Sequence, residues 1–212
     1  MILSSPVKPH TEPEPTVLVI DDDREFRESL GRLLLSVDLT VQLFASVPEF
    51  LGVGRPSGSS CLVLDVRLPG QSGLNFQREL TAANIQLPMI FITGHGDIPM
   101  SVQAMKGGIE FLTKPFRDQD MLDAIALGLS RDRAWREKER AEAALKERFD
   151  ALTPREREIM IHVVRGRLSK QIAADIGVRE VTVKVHRNMM RKMKAASLPK
   201  LGLMADKLKL LP

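Results

Sequence analysis

The sequence has little of what secreted and membrane proteins use. Cys61 is the only cysteine among 212 residues, so no intramolecular disulfide can form. No apolar run is long enough to span a bilayer, and the opening MILSSPVKPHTEPEPT lacks the basic flank and apolar core of a signal peptide. We therefore expect a cytoplasmic protein with no membrane contact, whose residues 1–14 form a disordered leader. The four histidines show no metal-ligand spacing: His10, His95, His162 and His186.

The charge is distributed unevenly along the chain. Residues 150–212 carry 14 lysines and arginines against 6 aspartates and glutamates, a net charge of +8, whereas residues 1–149 have a net charge of −4. With 43% hydrophobic and 27% charged residues, the chain has a globular composition and is long enough for two modest domains. A basic domain joined to an acidic one indicates that the C-terminal part binds nucleic acid.

Short apolar runs alternate with helical patterns through the first 130 residues. The runs lie at 16–20, 40–44, 61–64, 89–92 and 109–112. Strands that alternate with helices favour an open parallel sheet, because each crossover helix covers a face of the sheet. The pattern predicts an α/β doubly wound five-stranded parallel sheet over residues 15–130.

A long charged helix is expected from Asp118 to Asp150, with residues 131–149 acting as a linker. Its mixed charges fit a solvated helix stabilised by i,i+4 ion pairs. Its apolar residues fit a seam for a partner helix equally well. Both interpretations stay open, and the seam would comprise Leu122, Ile125, Leu129, Trp135, Leu145 and Phe149.

The C-terminal residues 150–212 predict a small all-helical domain. Thr153 is a candidate N-cap, Pro154 follows it at the first helical position, and Glu156 completes a capping box. Two further helices flank Gly177, and a short fourth follows. The apolar stripe of that fourth helix could contact a second copy or pack on its own domain: Leu198, Leu201, Met204 and Leu208.

Chemically useful side chains follow the strands of the predicted sheet. Asp21 and Asp22 follow the first strand, Asp65 ends the third, Thr93 ends the fourth and Lys114 follows the fifth. Ligands of parallel α/β sheets bind at these carboxyl ends, where the side chains converge. Clustered carboxylates need a cation, and oxygen ligands suit Mg²⁺. The set predicts that Asp65 attacks a phosphoryl group whose oxygens then contact Lys114 and Thr93.

The basic domain predicts a helix-turn-helix, whose second helix, about residues 179–194, would enter the major groove of DNA. On one face of that helix, Lys184, Val185 and Asn188 could contact base edges. His186 could contact a phosphate or pack inside the domain. The residues expected at phosphates are Thr182, His186, Arg187, Arg191 and Lys170.

Four stretches of the sequence together resemble one known family. They are VLVIDDD, CLVLDVRLPGQSG, FITGHGDIPMSVQAMKGGIEFLTKPF and LTPREREIM followed by KQIAADIGVREVTVKVHRNMMRKM. They resemble two-component response regulators of the FixJ type, within the NarL/LuxR-like group, over nearly all of residues 16–210. The resemblance implies a flavodoxin-like receiver domain followed by a LuxR-type helix-turn-helix that regulates transcription.

The resemblance also implies specific roles and partners. A sensor histidine kinase would phosphorylate the chain, which would then dimerise, bind double-stranded DNA and contact RNA polymerase, without turnover of an external substrate. Phe111 stands where many receivers have tyrosine, so a role for a ring hydroxyl is excluded. The implied roles are Asp65 as phospho-acceptor; Asp22, Asp65 and the main-chain carbonyl of Arg67 as Mg²⁺ ligands; Asp21 bound to Mg²⁺ through water; Thr93 and Phe111 as the switch pair; and Lys114 at the phosphate.

Two other functions share parts of this residue pattern. A phosphatase with an aspartyl-phosphate intermediate needs a second acid/base aspartate and a substrate cap, and VRLPG after Asp65 offers neither. A receiver that docks partners without being phosphorylated would not need the complete set of strand-end residues: Asp21, Asp22, Asp65, Thr93 and Lys114. The residues therefore favour a transcription factor controlled by phosphorylation.

Overall fold

The computed structural model describes residues 13–94, 109–168, 171–172, 174 and 183–210, without the side chains of Gln71, Ile109, Val183, Lys184 and Arg187. The chain divides into two compact units, Met1–Arg136 and Glu137–Pro212. Across the described ranges, no helix combines the length and the apolarity that a membrane crossing requires.

The first unit contains the predicted parallel sheet. Its strands are β1 (Thr16–Ile20), β2 (Thr40–Phe44), β3 (Ser60–Asp65), β6 (Met89–Thr93) and β7 (Ile109–Thr113), in the spatial order β2-β1-β3-β6-β7. A small antiparallel hairpin, β4 (Arg67–Leu68) and β5 (Gln71–Ser72), follows β3. The α/β doubly wound fold is confirmed, and each strand of the sheet agrees with its apolar run to within one residue at either end.

Helices cover both faces of this sheet. They are α1 (Arg24–Ser36), α2 (Val47–Val53), α3 (Gly73–Ala82) and the long α4 (Asp118–Asp150). Each of the first three begins after a polar N-cap, because a side-chain oxygen of Asp23, Ser46 or Ser72 accepts an N–H of the first turn. The caps fix where these helices begin after the preceding strand or loop.

Successive residues of the central strands point to two separate cores. Val17 and Val19 pack with α1 and the start of α4, whereas Leu18 and Ile20 pack with α2 and α3. Burial on both faces explains why these strands are apolar without alternation. Cys61 lies in the first core, where burial raises the pKa of its thiol to about 12.

A buried ion-pair network attaches α4 to the first unit. The carboxylate of Asp132 is fully buried and accepts hydrogen bonds from Arg55, from Arg136 Nε at 2.8 Å and from the Ser60 N–H at 2.7 Å. Arg136 also donates to two carbonyl oxygens of the loop before β3. The expected linker 131–149 is therefore not a separate segment, since its first six residues belong to the first unit.

The apolar residues of α4 serve two different cores. Ile125 and Leu129 are buried in the first unit, whereas Leu145 is buried in the second and Phe149 packs against it. Between them the helix is largely exposed and carries i,i+4 ion pairs, as the solvated interpretation predicts. Those pairs are Lys138–Glu142 and Lys146–Asp150.

The expected leader, residues 1–14, includes two residues that contact the first unit. Pro13 and Glu14 lie against Gly58, where an added Cβ would come within 2.8 Å of the Pro13 carbonyl oxygen and 2.6 Å of that of Glu14. Thr40 also donates to the Glu14 carboxylate at 3.1 Å. Residues 13 and 14 are therefore part of the first unit, and residues 1–12 lie outside the described ranges.

The second unit is helical in its described residues. Its helices are α5 (Pro154–Val164), α6 (Val183–Met193) and α7 (Leu198–Lys207), and the end of α4 completes the core. The predicted capping box is present: Thr153 Oγ1 accepts the Glu156 N–H, and Glu156 Oε2 accepts the Thr153 N–H at 2.9 Å. On α7, Leu201 is fully buried within its own unit, as packing on its own domain requires.

Candidate functional site

Three polar side chains meet at the carboxyl edge of the sheet. Lys114 Nζ lies 2.9 Å from Asp21 Oδ2 and 2.9 Å from Asp65 Oδ2. The parallel register explains the meeting, because it aligns Ile20 with Leu64 and so places the next residues, Asp21 and Asp65, side by side. One ammonium group is therefore shared by two carboxylates that come from the ends of different strands, which leaves a net negative charge at this edge.

The carboxylate of Asp65 is oriented by the loop that follows it. Its Oδ1 accepts the Arg67 N–H at 2.7 Å, which leaves Oδ2 facing Lys114. The loop returns so closely that a Cβ at Gly73 would lie 2.4 Å from the Asp65 carbonyl oxygen, a position that only glycine permits. The Asp65 side chain remains 14% exposed, so a small donor can reach it.

Asp21 is the buried member of the pair. Burial raises the pKa of its carboxyl group, and hydrogen bonds from Lys114 and the Asp23 N–H oppose that rise. For Lys114, burial alone would lower the pKa, but the hydrogen bonds and charges of Asp65 and Asp21 raise it above its ordinary value. The ammonium group therefore stays charged where it bridges the two carboxylates.

The chemistry of this edge fits a hard divalent cation. Asp21 and Asp65 supply carboxylate oxygens around one shared cationic group, and Asp22 adds an exposed carboxylate next in sequence. Mg²⁺ is commonly held by one or two carboxylates together with water and phosphate oxygens. Within the described ranges, no three carboxylates, histidines or cysteines converge closely enough to form a metal-binding cluster.

Thr93 and Phe111 lie on neighbouring strands of the same sheet. Thr93 is buried, and its hydroxyl donates to the Gly94 carbonyl oxygen at 3.2 Å. Phe111 stacks on Phe91 with ring centroids 5.0 Å apart. The Thr93 carbonyl also accepts the Lys114 N–H at 2.8 Å, so the end of β6 helps to position the lysine. Residues 95–108, between the two strands, lie outside the described ranges.

An aromatic ring that the sequence pattern assigned to no function also contacts Lys114. The ammonium group lies 3.9 Å from the centroid of the Phe26 ring, in the first turn of α1. Phe26 follows Asp21 by five residues, at the same edge of the sheet. This sequence position could have predicted the contact, because the first turn of a helix that follows a strand lies beside the carboxyl end of that strand.

The structure describes only part of the predicted DNA-contacting set. Helix α6 includes Val185 and His186, which are half-buried, and Arg191, which is exposed. Lys184 and Arg187 lie on the same helix, but their side chains are outside the described set, as are Thr182 and Lys170 entirely.

The amide of Asn188 is engaged inside the second unit. Its Nδ2 donates to Glu156 Oε1 at 2.6 Å, and its Oδ1 accepts Arg191 Nη2 at 2.6 Å. In the protein without DNA, each polar atom of the amide therefore has a partner inside the second unit, and contact of Asn188 with a base stays a prediction. The contact with Glu156 joins α6 to α5, which is distant in sequence, so the spacing of residues along α6 could not reveal it.

Glu156 connects the start of α5 to α6. It is 4% exposed, and its Oε2 accepts Lys192 Nζ at 2.7 Å as well as the Thr153 N–H. Burial would raise the pKa of Glu156, but hydrogen bonds from Lys192, Thr153 and Asn188 lower it to about 2. One carboxylate thus completes the capping box and holds α6.

Comparisons with known proteins match both units. The response regulator receiver domain matches residues 17–126, and the bacterial regulatory proteins of the luxR family match residues 150–205. Nodulation protein W of Bradyrhizobium diazoefficiens is 51% identical over 203 residues, covering 94% of this chain and 89% of the relative. The transcriptional regulatory protein FixJ of Azorhizobium caulinodans is 44% identical over 191 residues, covering 89% of this chain and 90% of the relative. A low-resolution structure of the response regulator StyR is 46% identical, with a TM-score of 0.82, and covers 92% of this chain and 100% of that one.

Glu156→Gln should destabilise the second unit by roughly 1–3 kcal/mol at neutral pH, because it weakens a buried charged hydrogen-bond network. The folded-state pKa of Glu156 lies below the ordinary 4.5, so its contribution is present above 4.5 and is lost as pH falls toward about 2. Hydrogen exchange at the α6 amides of the full chain would measure both effects. The control, Glu158→Gln on the exposed face of α5, should change stability by less than about 0.5 kcal/mol. Equal pH dependence in wild type and Glu156→Gln would contradict the assignment.

Proposed function

Because the chain belongs to the two-component response regulators that join a receiver domain to a LuxR-type DNA-binding domain, we propose that Asp65 accepts the phosphoryl group from a sensor histidine kinase. Members of this family are transcription regulators and not classical enzymes. The proposal rests on the position of the Lys114 ammonium group, whose Nζ lies 2.9 Å from Asp21 Oδ2 and 2.9 Å from Asp65 Oδ2. A cation held there can accept the negative oxygens of a phosphoryl group next to the carboxylate that attacks it.

In the proposed transfer, a carboxylate oxygen of Asp65 forms a bond to phosphorus while the bond from phosphorus to the kinase histidine nitrogen breaks. The electron pair of the broken bond stays with that nitrogen. The Arg67 N–H keeps the Asp65 carboxylate in one orientation, and Lys114 exchanges a carboxylate oxygen for a phosphoryl oxygen. Thr93 offers its hydroxyl to another phosphoryl oxygen once the group is bound.

Mg²⁺ is the cofactor typical of receiver domains, and the oxygen donors described above suit it. We assign its ligands to Asp22, Asp65 and the main-chain carbonyl of Arg67, with Asp21 bound through water. When bound, the ion supplies positive charge that reduces repulsion between Asp65 and the incoming phosphoryl group. The hydrogen bond between Lys114 and the buried Asp21 keeps both charged groups beside the site.

Asp65→Asn should abolish labelling by acetyl phosphate in the presence of Mg²⁺, because an amide is not a nucleophile for phosphorus. Phosphate-affinity electrophoresis and intact mass would measure the labelled fraction. Asp38→Asn, at an exposed turn of the same unit, should label like wild type. Normal labelling of Asp65→Asn would make the site wrong, and unchanged wild-type labelling after chelation of Mg²⁺ would make the metal assignment wrong.

Phosphorylation is proposed to control dimerisation through Thr93 and Phe111. The two residues lie on adjacent strands, and the Thr93 carbonyl accepts the Lys114 N–H. When the Thr93 hydroxyl turns to the phosphoryl group, the end of β6 moves inward and Phe111 fills the space that it leaves. A local charge change can bias such a two-state packing element.

The dimer switch predicts a concentration-dependent shift from monomer to dimer on addition of beryllofluoride, a phosphoryl mimic, with Mg²⁺. Analytical ultracentrifugation at micromolar protein would measure it. Asp65→Asn should stay monomeric under the same conditions, because it cannot bind the mimic productively. A monomeric boundary for wild type with confirmed mimic binding would rule out the switch and leave the phosphorylation site intact.

The second unit is proposed to place α6 in the major groove, with two copies on paired half-sites. Lys184, Val185 and Asn188 are the proposed base contacts, and in the protein without DNA the Asn188 amide donates to Glu156. Contact with RNA polymerase and a cytoplasmic location stay predictions. The proposed phosphate contacts are Lys170, Thr182, His186, Arg187 and Arg191.

Lys184→Ala should weaken binding to a specific site by roughly 1–3 kcal/mol and relax its preference at one base pair. Arg187→Ala should weaken specific and random DNA alike, because a phosphate contact carries no sequence information. Fluorescence anisotropy on both DNAs at several salt concentrations would measure the difference. If Lys184→Ala weakened both DNAs equally, Lys184 would not belong to the reading face.

A further inference from the structure

The ring of Phe26 lies over the lysine of the phosphorylation site. Lys114 Nζ is 3.9 Å from the ring centroid while it lies 2.9 Å from an oxygen of Asp21 and of Asp65. A cation within about 6 Å of an aromatic face is attracted by the electron density of the ring. The ammonium group is therefore held by two carboxylates and by an aromatic face at the same time.

The Phe26 ring is held in place by contacts of its own. The Phe26 N–H donates to the N-cap carboxylate of Asp23 at 3.1 Å, which fixes the first turn of α1 beside the site. The rings of Phe26 and Phe116 form a T-shaped pair, with centroids 6.0 Å apart and an interplanar angle of 89°, and both rings pack against the first core. These contacts restrict the movement of the Phe26 side chain.

Lysine needs such support at this position. Its ammonium group ends a flexible four-carbon stem, and the Lys114 side chain is 29% exposed. Once the phosphoryl group arrives, the carboxylate of Asp65 no longer offers the same charge, whereas the Phe26 ring is unchanged. We propose that Phe26 is a positioning residue that keeps Lys114 over Asp65 and thereby speeds phosphoryl transfer, an inference that rests on the proposed function of Asp65.

The chain offers a matched control for loss of a packed ring. Phe50 also meets two other rings edge to face, Phe44 at 5.5 Å and Phe76 at 5.9 Å. It lies in the core on the opposite face of the sheet, away from Lys114, which contacts Phe26. Phe50 is buried and meets two rings where the half-buried Phe26 meets one, so Phe50→Leu removes at least as much ring packing as Phe26→Leu without touching Lys114.

The first test reads the geometry without any phosphoryl transfer. In the full chain, the ε-methylene protons of Lys114 should resonate upfield of those of other lysines because of the ring current of Phe26, with the assignment made from Lys114→Arg. Phe26→Tyr should retain the upfield shift and Phe26→Leu should remove it, whereas Phe50→Leu should leave it unchanged. An ordinary Lys114 shift in the wild type would overturn the proposal.

The second test measures the consequence for the reaction. Phe26→Leu should slow labelling by acetyl phosphate with Mg²⁺ by about twofold to tenfold, and Phe26→Tyr should restore the wild-type rate. In a Lys114→Ala background, Phe26→Leu should cause no further loss, because the ring acts through the lysine. Thermal unfolding of each variant, with Phe50→Leu as reference, would separate this effect from loss of folded protein.

The outcomes distinguish this inference from the proposed function. If wild type labels and Asp65→Asn does not, but Phe26→Leu labels at the wild-type rate, Asp65 stands and the role of Phe26 is overturned. An equal fold-loss with and without Lys114 would also overturn it, because the ring would then act independently of the lysine. If Asp65→Asn labels normally, the proposed function itself fails.

Discussion

Two carboxylates that need a common cation are the constraint around which the first unit is arranged. The parallel register places Asp21 and Asp65 side by side, and their mutual repulsion at this partly buried edge must be offset. Lys114 offsets it from a third strand, β7, which reaches the site because β6 pairs with both β3 and β7. The order of strands in the sheet therefore determines which cation can pair with the two carboxylates.

The same arrangement explains why so polar a site can lie on so apolar a sheet. The central strands are buried on both faces, so charged side chains can lie only where the strands end. There, Asp21 is compensated by Lys114 and by the Asp23 N–H, and Asp65 by Lys114 and the Arg67 N–H. Phe26 joins the two environments, since its ring belongs to the core while its face contacts the lysine.

Buried carboxylates with basic partners recur at the other structural junctions of the chain. Asp132 pairs with two arginines and attaches α4 to β3 in the first unit. Glu156 pairs with Lys192 and attaches α6 to α5 in the second unit. A buried carboxylate left without its partner is costly, so each network favours one arrangement of its elements. In the second unit, that arrangement holds the helix proposed to enter DNA.

The apolar runs and the residues that end them were enough to predict the sheet, the strand bounds, the capping box at Thr153 and the family, because these depend on local pattern and on the regular geometry of parallel strands. The convergence of Asp21, Asp65 and Lys114 followed from the same geometry, although their roles stay predictions. Only the tertiary structure decided that Asn188 bonds to Glu156, that Phe26 faces Lys114 and that Asp132 is buried. Those contacts depend on how helices cross and on which rotamers fit, and periodicity specifies the face of a helix without specifying the partner it meets.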